Sequence, residues 1–278
     1  MSNKKDSLGD RMKEFYENRA KVYLTRRTPV IIRLDGKAFH SFTKGFKKPY
    51  DVIFHNTMNE TMKYLCENIQ GCKIGYTQSD EITLLLIDYD TLTTDAWFNY
   101  GMQKMCSIAA SMATMVFNRY FDEQIDEYCK ENYINCCGLR DVLSVYSIPE
   151  LKEVDSVLVA YLNSINKGAM FDARVFNIPK EEVTNCFIWR QQDATRNAIQ
   201  MLGQCNFSHQ ELQGKSCNDI QDMLMTQKNI NFNDMATAFK RGVCCIKTEN
   251  EGWVIDTEIP IFTQDREYIE KRFNNEGE

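Results

Sequence analysis

Two acidic positions stand out because their sequence neighbours would place both of them where a cation can be held. Asp35 ends the apolar run at residues 30–34, and Asp80 and Glu81 lie at the tip of a hairpin predicted for residues 72–87. Hard carboxylate oxygens, with no histidine or cysteine directly beside them, favour Mg²⁺ over zinc or copper. The pattern therefore predicts a Mg²⁺ site at Asp35 and Asp80. The alternative is that these residues only form turns, where Asp is common for local hydrogen bonding.

A pair of Mg²⁺ ions held by two carboxylates is suited to nucleotidyl transfer. One ion activates an attacking hydroxyl, and the other binds the triphosphate and stabilises the leaving group. Such a site also needs cations for the phosphates, and basic residues flank Asp35 on both sides. These residues are Arg26, Arg27, Arg33, Lys37, Lys44, Lys47 and Lys48. The aromatic residues between them, Phe39, Phe42 and Phe46, either form a wall for a base or pack beneath the loop.

The elements that must position these residues follow one another as strand, helix, strand, strand, helix and strand. A buried strand at 30–34 precedes a helix capped by Asp51, and the hairpin then leads into a helix at 95–121. The last strand is expected at 173–177. This βαββαβ order predicts an α+β fold with a ferredoxin-like sheet. In that sheet the first strand and the hairpin are neighbours, which lets Asp35 and Asp80 face each other.

The chain is predicted to pack as one compact unit with two regions. Residues 1–180 would form the catalytic domain, with residues 122–171 as a helical insertion before its last strand. Residues 181–278 are predicted to be mainly helical, with a late hairpin at 242–259. The chain has only five prolines and 13 glycines and no low-complexity linker, which argues against a flexible hinge.

The charge distribution predicts a localised polyanion site on an acidic protein. The net charge is −6, but residues 1–48 contain 13 Lys/Arg and five Asp/Glu, a balance of +8, so the remainder carries −14. No run approaches the roughly 18 to 20 apolar residues that span a bilayer. The 11 cysteines include no CxxC pair, which argues for reduced thiols and against structural zinc. We therefore expect a cytoplasmic protein without a membrane partner.

Five short motifs, in the same order, resemble those of the tRNA-His guanylyltransferase family. They are Arg33-Leu34-Asp35-Gly36-Lys37-Ala38-Phe39-His40-Ser41-Phe42, Lys48-Pro49-Tyr50-Asp51, Ser79-Asp80-Glu81-Ile82, Phe171-Asp172-Ala173-Arg174-Val175 and Trp189-Arg190-Gln191-Gln192-Asp193. The match covers most of residues 8–200 and weakens afterwards. The resemblance implies a polymerase-palm-type sheet that works in the 3′-to-5′ direction and adds nucleotides to the 5′ end of a tRNA.

The resemblance also implies roles for individual residues. Asp35, the Gly36 carbonyl and Asp80 would bind two Mg²⁺ ions, and Glu81 would be essential beside them. A nucleoside triphosphate would lie against Gly36, Lys37, Ala38, Phe39 and His40, partly through backbone N–H groups, with Lys48, Ser79 and Lys104 as further phosphate contacts. ATP would activate a 5′-monophosphate before GTP or another NTP is added. The family resemblance also implies a homotetramer.

One departure from the family pattern bears on the substrate. Eukaryotic members follow the WRQxD motif with HINxxLYN, but here Thr195 stands in place of the histidine and only Asn197 of that triplet is kept. A later KNE-like segment is also missing, since residues 220–222 read Ile-Gln-Asp. The chain therefore looks more similar to the bacterial and archaeal "like" proteins, which repair 5′-truncated tRNA by templated addition.

Three alternatives to tRNA repair remain open at this stage. The nearest is untemplated addition of G to tRNA-His. A nucleotide cyclase of palm topology is a second alternative, although residues 78–82 lack the two glycines of a GGDEF hairpin. A non-catalytic RNA-binding protein is the third. For tRNA binding, charge placement favours Arg19, Arg26, Arg27, Arg174, Arg190 and Arg196.

Overall fold

The computed structural model describes residues 7–133 and 137–274 of the chain. Within these ranges six strands form one antiparallel sheet in the order β4-β1-β3-β2-β5-β6. The strands are β1 (Val30–Gly36), β2 (Cys72–Gln78), β3 (Glu81–Leu86), β4 (Phe171–Asn177), β5 (Val243–Thr248) and β6 (Gly252–Asp256).

The helices surround this sheet. In chain order the α-helices of the described ranges are α1 (Ser7–Met12), α2 (Phe39–Phe42), α3 (Val52–Asn68), α4 (Met102–Asn132), α5 (Leu139–Val145), α6 (Ile148–Val154), α7 (Ser156–Lys167), α8 (Val183–Asn206), α9 (His209–Leu212), α10 (Cys217–Lys228), α11 (Thr237–Arg241) and α12 (Glu267–Glu270). A π-helical turn at Lys13–Glu17 and 3₁₀ turns at Asn18–Ala20, Trp97–Tyr100, Lys180–Glu182 and Phe232–Asp234 complete them. No helix of the described ranges combines the length and the apolar character needed to cross a membrane.

The succession β1-α3-β2-β3-α4-β4 confirms the predicted α+β fold. The first strand is central because β1 pairs antiparallel with β3 on one side and with β4 on the other. Asp51 caps α3 as expected, with its Oδ1 atom accepting from the Phe54 N–H at 2.9 Å. The helix ends at Asn68, and Gly71 (φ +80°) lies in the turn before β2.

Both faces of the sheet are covered by helices, which explains why β1 is an unbroken apolar run rather than an alternating one. Ile32 and Leu84 lie in a core cluster with side chains of α3 and α4. Ile31 and Leu85 point to the opposite face and cluster with Phe187 of α8. The site-bearing strands are therefore held rigidly between two packed layers.

The second long helix differs from its prediction at both ends. Phe98 and Asn99 have left-handed backbone angles (φ +49° and +51°), so the chain forms a 3₁₀ turn there and α4 begins only at Met102. The helix continues past Phe121, the predicted end, because Ile125 and Cys129 extend its buried stripe. Residue 122, where the insertion was expected to begin, thus lies inside α4.

The late hairpin is present and joins the same sheet as β1–β4. β5 pairs antiparallel with β2, with Cys244 opposite Tyr76, and β6 forms the edge. The C-terminal region is otherwise mainly helical, as predicted. Its attachment to β2 was not visible in the sequence, because nothing local to residues 243–256 specifies the strand with which they pair.

Candidate active site

The two predicted metal-binding carboxylates adjoin each other at one end of the sheet. Asp35 lies opposite Glu81 in the register of β1 and β3, and the Gly36 N–H donates to the Asp80 carbonyl oxygen at 3.1 Å. The backbone contact ties the end of β1 to the hairpin tip. The topology therefore brings together Asp35 and Asp80, which are far apart in the chain.

The electrostatics of this pair favour a bound cation. The pKa of Asp80 is raised to about 6, first by burial and then by the negative charges of Asp35 and Glu81. The pKa of Asp35 is also raised, first by burial and then by Glu81 and Asp172. Two carboxylates that raise each other's pKa are stabilised in their ionised form when a cation binds between them. The arrangement is thus the one expected of a divalent-metal site.

The donor set fits Mg²⁺ rather than a softer metal. Within residues 7–133 and 137–274, no cluster of three or more His, Cys, Asp or Glu side chains is arranged to hold a metal ion. The protein contribution would consist of the carboxylates of Asp35 and Asp80 and the Gly36 carbonyl. Mg²⁺ keeps several waters or phosphate oxygens beside one or two carboxylates, so this small oxygen set is sufficient for it.

Gly36 is required by a close aromatic contact. A Cβ atom at this position would lie 2.3 Å from Cδ2 of Phe39. The Phe39 ring packs against Phe42, Phe117 and Phe171, with centroid separations of 5.0, 5.5 and 5.1 Å. Phe39 and Phe42 therefore pack beneath the loop, whereas Phe46 also lines the cavity beside Lys48 and keeps the alternative of a wall for a base.

The turn after β1 offers fewer free N–H groups than predicted. The N–H of Gly36 is used by Asp80, and that of Lys37 donates to the Met170 carbonyl oxygen at 2.8 Å. Ala38 has a left-handed backbone (φ +56°) and precedes α2. The N–H groups of Phe39 and His40 lie in the first turn of this helix, where no intrahelical acceptor exists. An anion could therefore be bound at residues 38–40 but not by the N–H groups of residues 36 and 37.

Lys48 and Ser79 meet at a cavity beside the carboxylates. The cavity has a volume of about 190 Å³ and lies between residues 43–55, the hairpin tip and α8, which contributes Asn197. Ser79 has a left-handed backbone (φ +50°), and its hydroxyl donates to Oδ1 of Asp80 at 3.0 Å. Two of the predicted phosphate contacts thus line one space that lies next to the hairpin tip with Asp80.

Lys104 lies near the N-terminal end of α4. The Thr114 hydroxyl of α4 accepts a hydrogen bond from the Phe171 N–H at 3.1 Å. Phe171 pairs with Gly36, so Thr114 is the part of α4 that lies beside the end of β1. Lys104 is ten residues earlier, roughly 15 Å along the helix axis. Its ammonium group lies 4.4 Å from the centroid of the Phe98 ring. The role of Lys104 as a phosphate contact stays a prediction from the family resemblance, and its ammonium group lies against Phe98 in this chain.

Glu81 is held by two arginines. Its Oε1 atom lies 2.9 Å from Nη2 of Arg33, and its Oε2 atom lies 2.6 Å from Nη2 of Arg190. Arg190 also contacts Asp193 at 2.7 Å, and both arginines lie against the Trp189 ring. Glu81 therefore positions the hairpin tip rather than offering a free carboxylate. This role of Arg33 and Arg190 was not predicted from the sequence, although Arg190 lies in the motif around Trp189.

Comparison with known proteins decides the family. The family model described as Thg1, tRNAHis guanylyltransferase, matches residues 9–179 and so includes Asp35 and Asp80. The chain belongs to the Thg1 family. Members of this family are tRNA guanylyltransferases, and the chain is accordingly a nucleotidyltransferase.

Relatives and solved structures of the Thg1 family match most of the chain. An uncharacterized protein of Acanthamoeba polyphaga mimivirus is 30% identical, covering 93% of this chain and 85% of its own. The tRNA(His) guanylyltransferase of Saccharomyces cerevisiae is 26% identical over 77% of this chain and 80% of its own. Among structures, a bacterial Thg1-like protein in complex with ATP is 42% identical, with a TM-score of 0.77, covering 96% of this chain and 99% of the other. A GTP complex of a bacterial Thg1-like protein is 38% identical, with a TM-score of 0.72 and the same coverage.

Two of the arginines predicted to bind RNA have structural roles in this Thg1-family chain. Arg190 is only 3% exposed, so the prediction that it contacts RNA is wrong. Arg26 holds the fully buried Asp88 and also donates to Oδ1 of Asn99, which leaves little of its guanidinium for phosphates. Both were selected on charge alone, and charge alone does not reveal an intramolecular partner.

The remaining predicted arginines are exposed. Arg174 is 56% exposed and lies 4.0 Å from Asp35 and 3.6 Å from Asp172, where it reduces the local negative potential. Arg196 is 54% exposed and contacts Asp193. Arg19 and Arg27 are exposed near the N-terminus. These four positions keep their cationic groups accessible to a polyanion.

Proposed function

We propose that this chain adds nucleotides to the 5′ end of truncated tRNA in a templated 3′-to-5′ reaction. The proposal rests on one arrangement above all: the Asp35 and Asp80 carboxylates beside a cavity lined by Lys48 and Ser79. Bacterial Thg1-like proteins of similar sequence have been crystallised with ATP and with GTP. Both observations support a site that binds nucleoside triphosphates next to a pair of metal-binding carboxylates.

Each protein group has a defined task in this reaction. Asp35, Asp80 and the Gly36 carbonyl would hold two Mg²⁺ ions, which when bound supply charge neutralisation and activation of the attacking hydroxyl. The N–H groups of residues 38–40 bind phosphate oxygens, and Lys48 and Ser79 contact the phosphates from the cavity side. The ion pairs of Glu81 keep the hairpin tip, and thereby Asp80, in place.

The position of Thr195 favours repair over addition of G to tRNA-His. Eukaryotic family members have a histidine at this place in the sequence, whereas the Thr195 hydroxyl donates to the Lys240 carbonyl oxygen at 2.9 Å. Its side chain is thus occupied by a contact with α11 and presents no imidazole to a substrate. Untemplated addition of G remains the second candidate, because the chain belongs to the Thg1 family.

The proposed partners are tRNA and nucleoside triphosphates. Arg19, Arg27, Arg174 and Arg196 are the proposed tRNA contacts, since they are exposed and basic. A homotetramer is also proposed, on the family resemblance alone, as is a cytoplasmic location. A cyclase is disfavoured by the Thg1 family membership, and a purely RNA-binding role is disfavoured by the intact carboxylate pair.

The test uses a 5′-monophosphorylated tRNA that lacks its first nucleotide, with ATP, all four NTPs and Mg²⁺. We expect 5′ extension that follows the opposite base and is absent with Asp80→Ala. Changing the opposite base should change the nucleotide that is added. Addition of G whatever the opposite base would support the guanylyltransferase alternative. Absence of extension on both mono- and triphosphorylated RNA would contradict the proposal.

A further inference from the structure

A second depression, here called the α8–α10 groove, begins where the active-site cavity ends. It has a volume of about 580 Å³ and is lined by Lys48, Gln200, Gln204, Phe207, His209, Leu212, Gln213, Lys215 and Ile220. Lys48 lines both spaces. Helix α8 also borders both, with Asn197 and Met201 facing the cavity and Gln200 and Gln204 facing the groove. The groove is therefore continuous with the site of nucleotide addition.

The groove has an apolar floor and a polar rim. Phe207 and Ile220 are 7% and 4% exposed and belong to the core cluster formed by α8 and α10. The rim consists of three glutamine amides, one imidazole and two lysine ammonium groups, all exposed. In the described part of the chain none of these rim side chains has a hydrogen bond or ion pair to another protein group. Their bonding capacity is thus available to a ligand.

The groove is basic although the chain as a whole is acidic. No aspartate or glutamate lines it. The nearby carboxylates of Glu211 and Asp219 accept hydrogen bonds from Ser208 and Ser216 as helix caps, and their negative charges offset part of the positive charge of the lysines. Lys228 adds a third ammonium group, 5.3 Å from the centroid of the Phe207 ring. Phosphate-bearing ligands are favoured by this local charge, which is opposite in sign to the net charge of −6.

The groove matches the chemistry of single-stranded nucleic acid. Amides recognise base edges, apolar side chains contact base faces, and lysines neutralise phosphates. Its volume is within the roughly 300 to 1,000 Å³ of pockets that hold small ligands. One or two nucleotides of an unpaired strand fit such a space, whereas a duplex does not.

We propose that the α8–α10 groove binds the unpaired nucleotides of the RNA strand opposite the growing 5′ end. This inference rests on the proposed function, which puts a recessed 5′ end at Asp35 and Asp80. The opposite strand of such a substrate continues beyond the incoming nucleotide without a partner. The groove lies directly beyond the cavity that would hold this nucleotide, and it would fix the template strand in register.

The experiment measures the dissociation constants of three ligands. They are an RNA hairpin with a recessed 5′ end and a 3′ overhang, the same hairpin with a blunt end, and ATP. The double variant Gln204→Ala/Lys215→Ala removes one amide and one ammonium group from the rim, and Lys152→Ala removes an exposed lysine of α6 as the control. We expect roughly tenfold weaker binding of the overhang RNA by the double variant, with blunt RNA and ATP bound within twofold of wild type. Circular dichroism and Tm confirm that each variant is folded.

Three results would overturn the inference. Unchanged binding of the overhang RNA would show that the groove does not hold the strand. Equal weakening for blunt RNA would show general charge attraction, and weakening for ATP would show a site for free nucleotides instead. The extension assay separates the two proposals: if wild type extends recessed RNA and the double variant does so with unchanged KM, only the groove assignment fails. If the wild-type protein does not extend RNA, but the double variant binds the overhang RNA more weakly than wild type does, only the proposed function fails.

Discussion

The Nη2 atom of Arg190 lies 2.6 Å from the Oε2 atom of Glu81, and this contact joins α8 to the first residue of β3. Arg190 is 3% exposed and Glu81 17% exposed, so the pair is largely removed from water. Glu81 directly follows Asp80. Helix α8, on one face of the sheet, is thereby tied to the hairpin tip that carries Asp80, the proposed metal-binding carboxylate.

Arg190→Ala should lower the free energy of unfolding by about 3 kcal/mol, because it leaves Glu81 and Asp193 with one partner fewer in a poorly solvated place. It should also lower kcat for nucleotide addition, because the hairpin tip loses the ion pair between Glu81 and Arg190 that fixes its position. Denaturant unfolding and single-turnover kinetics measure the two effects. The control is Arg196→Ala, whose exposed contact with the same Asp193 should contribute under about 1 kcal/mol. Equal stability losses for the two variants would contradict the assignment.

Asp80→Asn should abolish nucleotide addition while leaving the fold intact or more stable. Loss of a metal-binding carboxylate is expected to reduce kcat at least about a thousandfold. Burial raises the pKa of Asp80 from 3.8 to about 6, so ionisation at pH 7 opposes folding, and removal of the charge stabilises the protein by up to about 3 kcal/mol. Asp172→Asn, at an exposed carboxylate that also lies opposite Asp35, provides the comparison. A lower Tm for Asp80→Asn would argue against the electrostatic explanation.

Gly36→Ala should reduce both stability and activity, because the added methyl group would lie 2.3 Å from the Phe39 ring. Overpacking of this kind is expected to lower the free energy of unfolding by about 1–3 kcal/mol. The double variant Gly36→Ala/Phe39→Leu makes room for the methyl group and should recover part of the activity relative to Gly36→Ala. Extension assays on the two variants provide the test. No recovery would mean that Gly36 is needed for a reason other than this contact.

The contribution of His55 to stability should fall as the pH is lowered from about 6.5 to 4. It runs opposite to that of Asp80, whose raised pKa makes protonation stabilise the fold over part of the same interval. Burial lowers the pKa of His55 to about 4, and its Nε2 atom has no hydrogen-bond partner in the structure. In this interval the unfolded chain binds a proton that the folded chain excludes, so this contribution is lost towards low pH and is fully present above about pH 6.5. The loss reaches about 3 kcal/mol for this group. Urea unfolding at several pH values, compared with His55→Gln, isolates it, and identical pH profiles for both proteins would refute the prediction.

Local sequence patterns were enough to predict the elements that are stabilised by neighbouring residues. The apolar run before Asp35, the Asp51 cap of α3 and the hairpin at Asp80 depend on neighbouring residues, and all three are present. The ends of α4 were wrong because the left-handed turn at Phe98 has no clear signature in a non-glycine residue. The order of these elements also sufficed for the α+β sheet, and therefore for the meeting of Asp35 with Asp80.

Contacts between distant segments were decided only by the tertiary structure. Arg190 was assigned to RNA by its charge, yet it is buried against Glu81. Lys104 was assigned to the phosphates by the family resemblance, yet it lies about 15 Å along α4 from Thr114, which contacts the strand end beside Gly36. The pairing of β5 with β2 and the groove beyond Lys48 likewise join residues more than a hundred positions apart. Periodicity and capping residues indicate only the interactions within a segment and with its immediate neighbours in the sequence. An ion pair, an added strand or a shared cavity wall depends on where the other segment has packed, and the chain as a whole determines that position.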